Sequence, residues 1–278
     1  MKLEKIWAVY FSGTGTTRRT VERIAGGIAS RLNLPAESVD FSRPAVRQET
    51  LRFGEKDLVV FGTPVYAGRV PNVLLPFLRE RIVGGGALAV PVVLFGNRDY
   101  DDALIELRNI LAADGMHPIA AGAFVGEHSF SRVLGADRPN AEDEALMDEF
   151  AARVAALAAG LDAAPVKSVA MRGQEPLRPY YTPRDRAGNP INILKVKPKT
   201  DLSRCGGCGL CADLCPMGSI DPADVSAVRG ICIKCCACVK GCPTGAKFFD
   251  DAGYLYHQHE LEAQYARPAE NEVFYIQL

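Results

Sequence analysis

The sequence has no cysteine in its first 204 residues, almost no net charge and no long apolar run. Its 32 Lys and Arg face 33 Asp and Glu, so no basic excess favours nucleic acid or an anionic membrane surface. The longest apolar stretch in the first hundred residues, 87–95, is too short to span a bilayer. The charged N-terminal residues precede only six apolar residues, so we predict no signal peptide. We expect a cytoplasmic protein with no nucleic-acid partner and no membrane span.

An α/β pattern fills residues 1–162. Runs that are apolar and of strand length alternate with helical stripes, and these runs are residues 5–11, 57–62, 88–96 and 119–125. Strands that are apolar on both faces are typical of parallel sheets covered by helices on both sides. We therefore predict a doubly wound parallel sheet for this segment, with an edge strand at 38–41.

Composition divides the rest of the chain into three segments. Residues 163–200 form a basic, Pro-rich linker, with eight Lys and Arg against two acidic residues over 163–199. Residues 201–250 contain all nine cysteines, and residues 251–278 form an acidic tail with five carboxylates and one arginine. A secreted disulfide-rich protein would distribute its cysteines along the chain. Their concentration predicts a binding site instead.

The cysteine segment repeats the motif C-x2-C-x2-C-x3-C-P at an offset of 27 residues. The first set is Cys205, Cys208, Cys211 and Cys215, and the second is Cys232, Cys235, Cys238 and Cys242. Three thiolates at this spacing hold three corners of an iron–sulfur cubane, and a remote cysteine holds the fourth. Structural zinc also uses cysteine pairs, but two complete quartets favour two 4Fe-4S clusters. Cys236 has no predicted ligand role.

This segment resembles the bacterial ferredoxins with two 4Fe-4S clusters, in which each half supplies one ligand to the opposite cluster. The resemblance implies a small α+β domain with crossed ligation. Cluster one would be held by Cys205, Cys208, Cys211 and Cys242, and cluster two by Cys215, Cys232, Cys235 and Cys238.

A loop rich in hydroxyls and glycines separates the first strand from the first helix. Its residues are Ser12, Gly13, Thr14, Gly15, Thr16 and Thr17. The loop is neither G-x-G-x-x-G nor a P-loop, because it lacks the third glycine spacing and the lysine. Hydroxyls, free amides and a helix N-terminus suit a single terminal phosphate, although such turns also serve as helix caps. Two later loops follow buried strands at the same carboxyl edge, where open α/β sheets bind ligands.

The S-x-T-G-x-T loop and its setting resemble flavodoxins, in which this loop holds the phosphate of FMN and the two later loops clasp the isoalloxazine. The resemblance covers residues 1 to about 160. The further FMN contacts that it implies are Thr63, Pro64, Tyr66, Gly68, Asn97, Arg98 and Tyr100. Tyr100 is the leading candidate to stack on the flavin and Tyr66 the second, unless both cap the sheet edge. The segment 127–130, after the fourth long strand, is a further candidate to face the flavin, although a lone loop histidine such as His128 is more often a surface residue. His257 and His259 are expected to be solvated.

Together the two parts resemble the flavodoxin–ferredoxin fusion proteins of anaerobic bacteria and archaea. The resemblance implies an iron–sulfur flavoprotein that relays low-potential electrons between soluble redox proteins, such as a ferredoxin or a reductase, through FMN and two 4Fe-4S clusters. The alternative is an FMN-dependent oxidoreductase that acts on a small substrate with electrons from the clusters. An enzyme would cover its flavin, and the tail is the only segment long enough to form such a lid.

Overall fold

A seven-stranded sheet organises the first part of the chain in the computed structural model, which describes residues 1–277. The strands are β1 (Lys5–Tyr10), β2 (Ala36–Asp40), β3 (Leu51–Arg52), β4 (Asp57–Pro64), β5 (Ile82–Val83), β6 (Leu88–Phe95), β7 (His117–Pro118), β8 (Ala120–Val125), β9 (Lys199–Thr200), β10 (Lys247–Phe248) and β11 (Glu272–Tyr275). The helices are α1 (Thr16–Leu32), α2 (Leu75–Glu80), α3 (Ala103–Ala113), α4 (Ala141–Ala159), α5 (Leu210–Asp213), α6 (Ala237–Lys240) and α7 (Ala252–Gln264). Within residues 1–277, no helix has the length and apolar character that a membrane span requires.

The main sheet has the order β2-β1-β4-β6-β8, and all four of these pairings are parallel. Its five principal strands therefore follow the order 2-1-3-4-5 of flavodoxin-like sheets, which confirms the predicted fold class. Every residue of β6 is buried, because helices cover both faces of this central strand. One apolar core lies on the side of α1 and α4, and a second lies on the side of α2 and α3.

The segments predicted as a linker and a tail form hydrogen bonds and ion pairs with this domain. The short strand β11 pairs antiparallel with β8 and forms the edge of the main sheet. In the linker, the amide of Val169 donates to the carbonyl of Pro118 at 2.9 Å, and Arg178 pairs with Asp102 at 2.6 Å. The chain therefore leaves the α/β domain, forms the cysteine segment and returns to complete the sheet.

The cysteine segment shows its duplication in the backbone. Helices α5 and α6 are each one turn long and lie 27 residues apart, while β9 and β10 pair antiparallel at the two ends of the segment. Left-handed backbone conformations recur at the same offset. Gly207 (φ 67°) corresponds to Lys234 (φ 54°), and Gly209 (φ 73°) corresponds to Cys236 (φ 58°). Cys236 thus occupies a helix N-cap position at which the first half has glycine.

Candidate functional site

A cavity lies at the carboxyl edge of the main sheet, and we call it the flavin cavity. Predicted residues that line it are Gly13, Thr14, Thr16, Thr17, Pro64 and Tyr66. Nine further residues line the cavity: Val65, Leu94, Phe95, Gly96, Gly126, Glu127, His128, Ser129 and Cys235. Residues 127–129 belong to the segment that the sequence offers as a further candidate to face the flavin, and Cys235 is predicted from sequence only as a cluster ligand. Residues 126–129 follow β8 directly, at the carboxyl edge of the sheet where the other cavity loops lie. This position in the sequence is the signal that identifies them as cavity residues.

The loop at the start of α1 fits a phosphate group. Among the residues that the structure describes, no backbone amide of residues 13–17 donates to a protein acceptor. Gly15 takes the left-handed conformation (φ 89°) at the N-cap, and the first turn of α1 contains no acidic residue. Arg18 and Arg19 lie exposed on that turn. Unpaired amides, the helix N-terminus and two cations together favour a bound anion.

Tyr66 lies between the flavin cavity and the cysteine segment. It begins a tight turn in which Tyr66 and Arg69 exchange backbone hydrogen bonds of 3.0 and 3.1 Å, and Gly68 supplies a positive φ of 76°. Burial, and then the neighbouring thiol of Cys235, raise the pKa of the Tyr66 phenol well above its usual value. Its placement at the cavity is compatible with the predicted flavin contact.

Tyr100 does not lie at the flavin cavity, contrary to its selection as the leading stacking residue. Its side chain is fully buried against Phe95, with ring centroids 5.5 Å apart. Its hydroxyl donates to Glu272 Oε2 at 2.8 Å and accepts from Arg172 Nε at 3.0 Å. Partners from the linker and from β11 therefore hold this ring inside the protein.

Asn97 and Arg98 also have structural partners away from the cavity. The amide of Asn97 donates to the carbonyls of Tyr265 and Arg267, so this side chain fastens the tail after α7. Arg98 pairs with Asp101, and its guanidinium lies 4.8 Å from the ring centroid of Tyr181. Both side chains therefore have partners within the protein, and their flavin contact stays a prediction.

The other predicted residues that do not line the cavity shape its loops. Ser12 Oγ accepts from the amide of Arg18 at 3.1 Å, which stabilises the start of α1. Thr63 is fully buried at the end of β4, and its hydroxyl lacks a partner among the described residues. A side chain at Gly68 would collide with Asp101.

His128 is a neutral imidazole beside the cavity. Its Nδ1 accepts from the amide of Phe130 at 3.1 Å, so the ring proton resides on Nε2. Burial, followed by the nearby cations Lys240, His257 and Arg98, lowers its pKa to about 3. His257 is also buried, so the expectation of surface histidines is wrong for both residues.

The eight predicted ligands separate into two cavities. The first cysteine cavity is lined by Cys205, Cys208, Cys211 and Cys242. The second cysteine cavity is lined by Cys215, Cys232, Cys235 and Cys238, together with Cys236. Each cavity thus takes one thiol from the opposite motif. All nine thiols are free, and Cys208 is exposed whereas Cys235 and Cys238 are buried.

The donor sets fit iron–sulfur clusters. The amide of Ser219 donates to Cys215 Sγ at 3.3 Å, and the amide of Ala246 donates to Cys242 Sγ at 3.2 Å. Such bonds stabilise anionic sulfur. Within residues 1–277, no three His, Cys, Asp or Glu side chains are grouped to hold a single metal ion. Four thiols that surround a cavity suit a polynuclear group better than a lone zinc ion.

Ion pairs neutralise half of the cations in the linker. These cations and their partners are Arg172 with Asp99 and Glu272, Arg178 with Asp102, Arg186 with Glu260, and Lys199 with Asp250. The linker therefore offers a smaller basic surface than its composition predicts.

Two domain families match the chain. The flavodoxin domain matches residues 8–126, and the 4Fe-4S binding domain matches residues 198–221, which contain the first cysteine set. These matches support an electron-transfer function that uses FMN and a 4Fe-4S cluster. None of the curated proteins compared with the chain matches it.

Solved structures resemble the α/β part. A flavodoxin from the domain Archaea shares 17% identity over 55% of this chain and 97% of its own, with a TM-score of 0.41. A Fusobacterium nucleatum flavodoxin variant bound to flavin mononucleotide shares 14% identity over 55% of this chain and 95% of its own, with a TM-score of 0.36. Rubredoxin oxygen:oxidoreductase from Desulfovibrio gigas shares 16% identity over 58% of this chain and 38% of its own, with a TM-score of 0.36.

Proposed function

The chain is a fusion of a flavodoxin domain with a 4Fe-4S ferredoxin domain, and from this premise we propose that it relays electrons between FMN and soluble redox proteins. The proposed order is FMN in the flavin cavity, cluster two in the second cysteine cavity, and cluster one in the first. FMN exchanges electrons in pairs or singly, whereas a 4Fe-4S cluster exchanges one at a time.

One observation carries this order: Cys235 lines both the flavin cavity and the second cysteine cavity. A Cβ on Gly13, in the phosphate loop, would lie 3.0 Å from Cys235 Cβ. The two cavities therefore share a wall one side chain thick. Arg47 holds the same interface, because its Nη2 donates to the carbonyl of Pro216 at 2.5 Å, next to the predicted ligand Cys215.

Cluster one would face the partner. Cys208 is exposed, and so are two apolar side chains: Leu202, which precedes its motif, and Leu210, which lies within it. Exposed apolar side chains beside a redox centre suit a transient protein contact. The first cysteine cavity is therefore the proposed point at which electrons enter or leave.

The geometry favours a carrier over an enzyme with a covered flavin. No residue that lines the flavin cavity comes from the described part of the tail, 251–277. Helix α7 instead packs on Phe130 through Tyr254, with ring centroids 4.8 Å apart, and β11 completes the sheet. The segment considered as a lid thus has a structural role.

Anaerobic stopped-flow mixing with a reduced ferredoxin tests the relay. Wild-type protein with about eight iron and one FMN per chain should show bleaching of the clusters followed by flavin reduction. Cys242→Ala, which removes a predicted ligand of cluster one, should slow flavin reduction by ferredoxin but not by a small reduced dye. NADH or NADPH alone should not reduce the flavin rapidly, because the chain has no dinucleotide fingerprint. An unchanged ferredoxin rate in the variant, or rapid saturable reduction by a nicotinamide, contradicts the proposed relay.

A further inference from the structure

One lysine of the cysteine segment reaches two residues of the flavin cavity. Lys240 Nζ donates to the carbonyl of His128 at 2.6 Å and forms an ion pair with Glu127. The Lys240 side chain is 14% exposed and the Glu127 side chain is 34% exposed, so this pair is partly shielded from solvent. Both partners line the flavin cavity. The contact therefore fixes the loop after β8 from outside the α/β domain.

We propose that Lys240 is a positioning residue that makes FMN binding depend on an assembled iron–sulfur half. The inference rests on the proposed function, since it requires FMN in the flavin cavity. Lys240 would couple the FMN site to the cluster sites. Because such a coupling is reciprocal, FMN would stabilise cluster binding by the same free energy as the clusters stabilise FMN binding.

The position of Lys240 depends on its surroundings in the cysteine segment. Lys240 ends α6, a single turn of four residues, and so short a helix is not stable alone. The turn begins after Cys236, whose φ of 58° is unfavourable for a residue with a side chain. The predicted ligands Cys238 and Cys242 lie on either side of Lys240. Ligation of those thiols would hold the turn and direct Lys240 towards Glu127.

Loss of the contact of Lys240 with Glu127 and His128 would weaken FMN binding by changing the charge and the shape of the flavin cavity. Without Lys240, the carboxylate of Glu127 would lie uncompensated at a cavity that takes an anionic ligand. The backbone of His128 would lose its anchor, although Phe130 would still fix the imidazole. Cys235 forms another wall of the cavity, so disorder in the cysteine segment would open the site at two places.

The experiment measures the FMN dissociation constant of the full chain by flavin fluorescence, with the clusters present and after their removal by a chelator under anaerobic conditions. Lys240→Met should weaken FMN binding about tenfold while it retains iron and sulfide, as expected for a partly buried charge pair. Removal of the clusters should weaken wild-type binding by at least as much. The same removal should have a clearly smaller effect on Lys240→Met, because the coupling is already lost. Lys199→Met is the matched control, since Lys199 pairs with Asp250 away from the cavity.

Equal FMN affinity in Lys240→Met and wild type overturns the inference, and so does an equal loss in both proteins when the clusters are removed. If Lys240→Met does not fold, the neutral pair Glu127→Gln/Lys240→Met provides the same comparison. That double variant should bind FMN with an affinity that depends little on the clusters, whereas a full wild-type dependence overturns the proposal. A wild-type chain that binds no FMN would refute the proposed function itself. FMN binding that is tight but independent of the clusters would refute only the coupling.

Discussion

In the first half of the cysteine segment the motif is open to solvent, whereas in the second half it is packed against the α/β domain. Cys208 is exposed, but its counterpart Cys235 is 8% exposed and lines the flavin cavity. Three left-handed positions recur in the two halves. Gly207 and Gly209 are replaced by Lys234 and Cys236 in the second half, whereas the third position is glycine in both, Gly218 and Gly245. A single motif has thus acquired two environments. In the proposed relay, the cluster of the second half would exchange electrons inside the protein and that of the first half would exchange them outside.

The largest effect on the difference between the two halves is expected from replacing Cys215 or Cys242, the cysteine that each motif supplies to the opposite cavity. If ligation is crossed, Cys215→Ala should lose the buried cluster and Cys242→Ala the exposed one, so that iron falls from about eight to about four per chain in each variant. The cluster left in Cys215→Ala should then be removed quickly by a chelator, because its surroundings are open. The cluster left in Cys242→Ala should be removed slowly. Iron analysis and the time course of chelation measure both effects.

Cys236→Ala is the control, because Cys236 lies beside a predicted ligand and its thiol contacts Tyr254 at 3.4 Å instead. It should retain about eight iron per chain. Loss of the exposed cluster in Cys215→Ala would show that each motif binds its own cluster and would remove the basis for a crossed pair.

Lys234 offers a smaller change that sharpens the comparison. Its Nζ donates to the carbonyls of Cys232 and Leu194 at 2.8 and 2.7 Å, so a buried cation lies in the loop of the second half where the first half has Gly207. Lys234→Met should make the midpoint potential of cluster two more negative by about 1–2 kcal/mol, or roughly 40–90 mV. A redox titration followed by electron paramagnetic resonance measures both clusters.

The exposed Lys195 is the matched control for this charge. Lys195→Met should shift the potential less, because solvent and salt screen an exposed cation. A shift confined to cluster one, or a more positive potential of cluster two, would be incompatible with the position of Lys234 in the second half.

The sequence predicts the sheet well, but it predicts the side-chain positions of one flavin loop poorly. Apolar runs separated by helical stripes identify β1, β4, β6 and β8, because burial on both faces leaves a local pattern. Tyr100 was misplaced because its direction depends on partners far along the chain, Arg172 and Glu272. Local pattern contains no information about such partners.

The tail and Cys236 show two other limits. Strand β11 has only four residues, and all of them are only partly buried, so its short apolar run at 273–275 is a weak strand signal. Cys236 has no ligand role that spacing could reveal, and its place becomes clear only from the backbone that it shares with Gly209. The prediction of eight ligand positions, in contrast, follows from covalent spacing alone.

Gly209 provides the smallest test of the difference between the halves. A Cβ at this position would meet no atom of the described residues within 4 Å, so the contribution of the protein to the cost of Gly209→Ala comes from its φ of 73°. That cost should lower the free energy of unfolding by about 1 kcal/mol. Gly206→Ala is the matched control, because Gly206 has equally open surroundings and no positive φ. Anaerobic denaturant unfolding, followed by the absorbance of the clusters, measures both variants. If both variants lose the same free energy of unfolding, the cost comes from reduced backbone flexibility and not from the left-handed conformation. Gly209 and Cys236 would then not be structural equivalents.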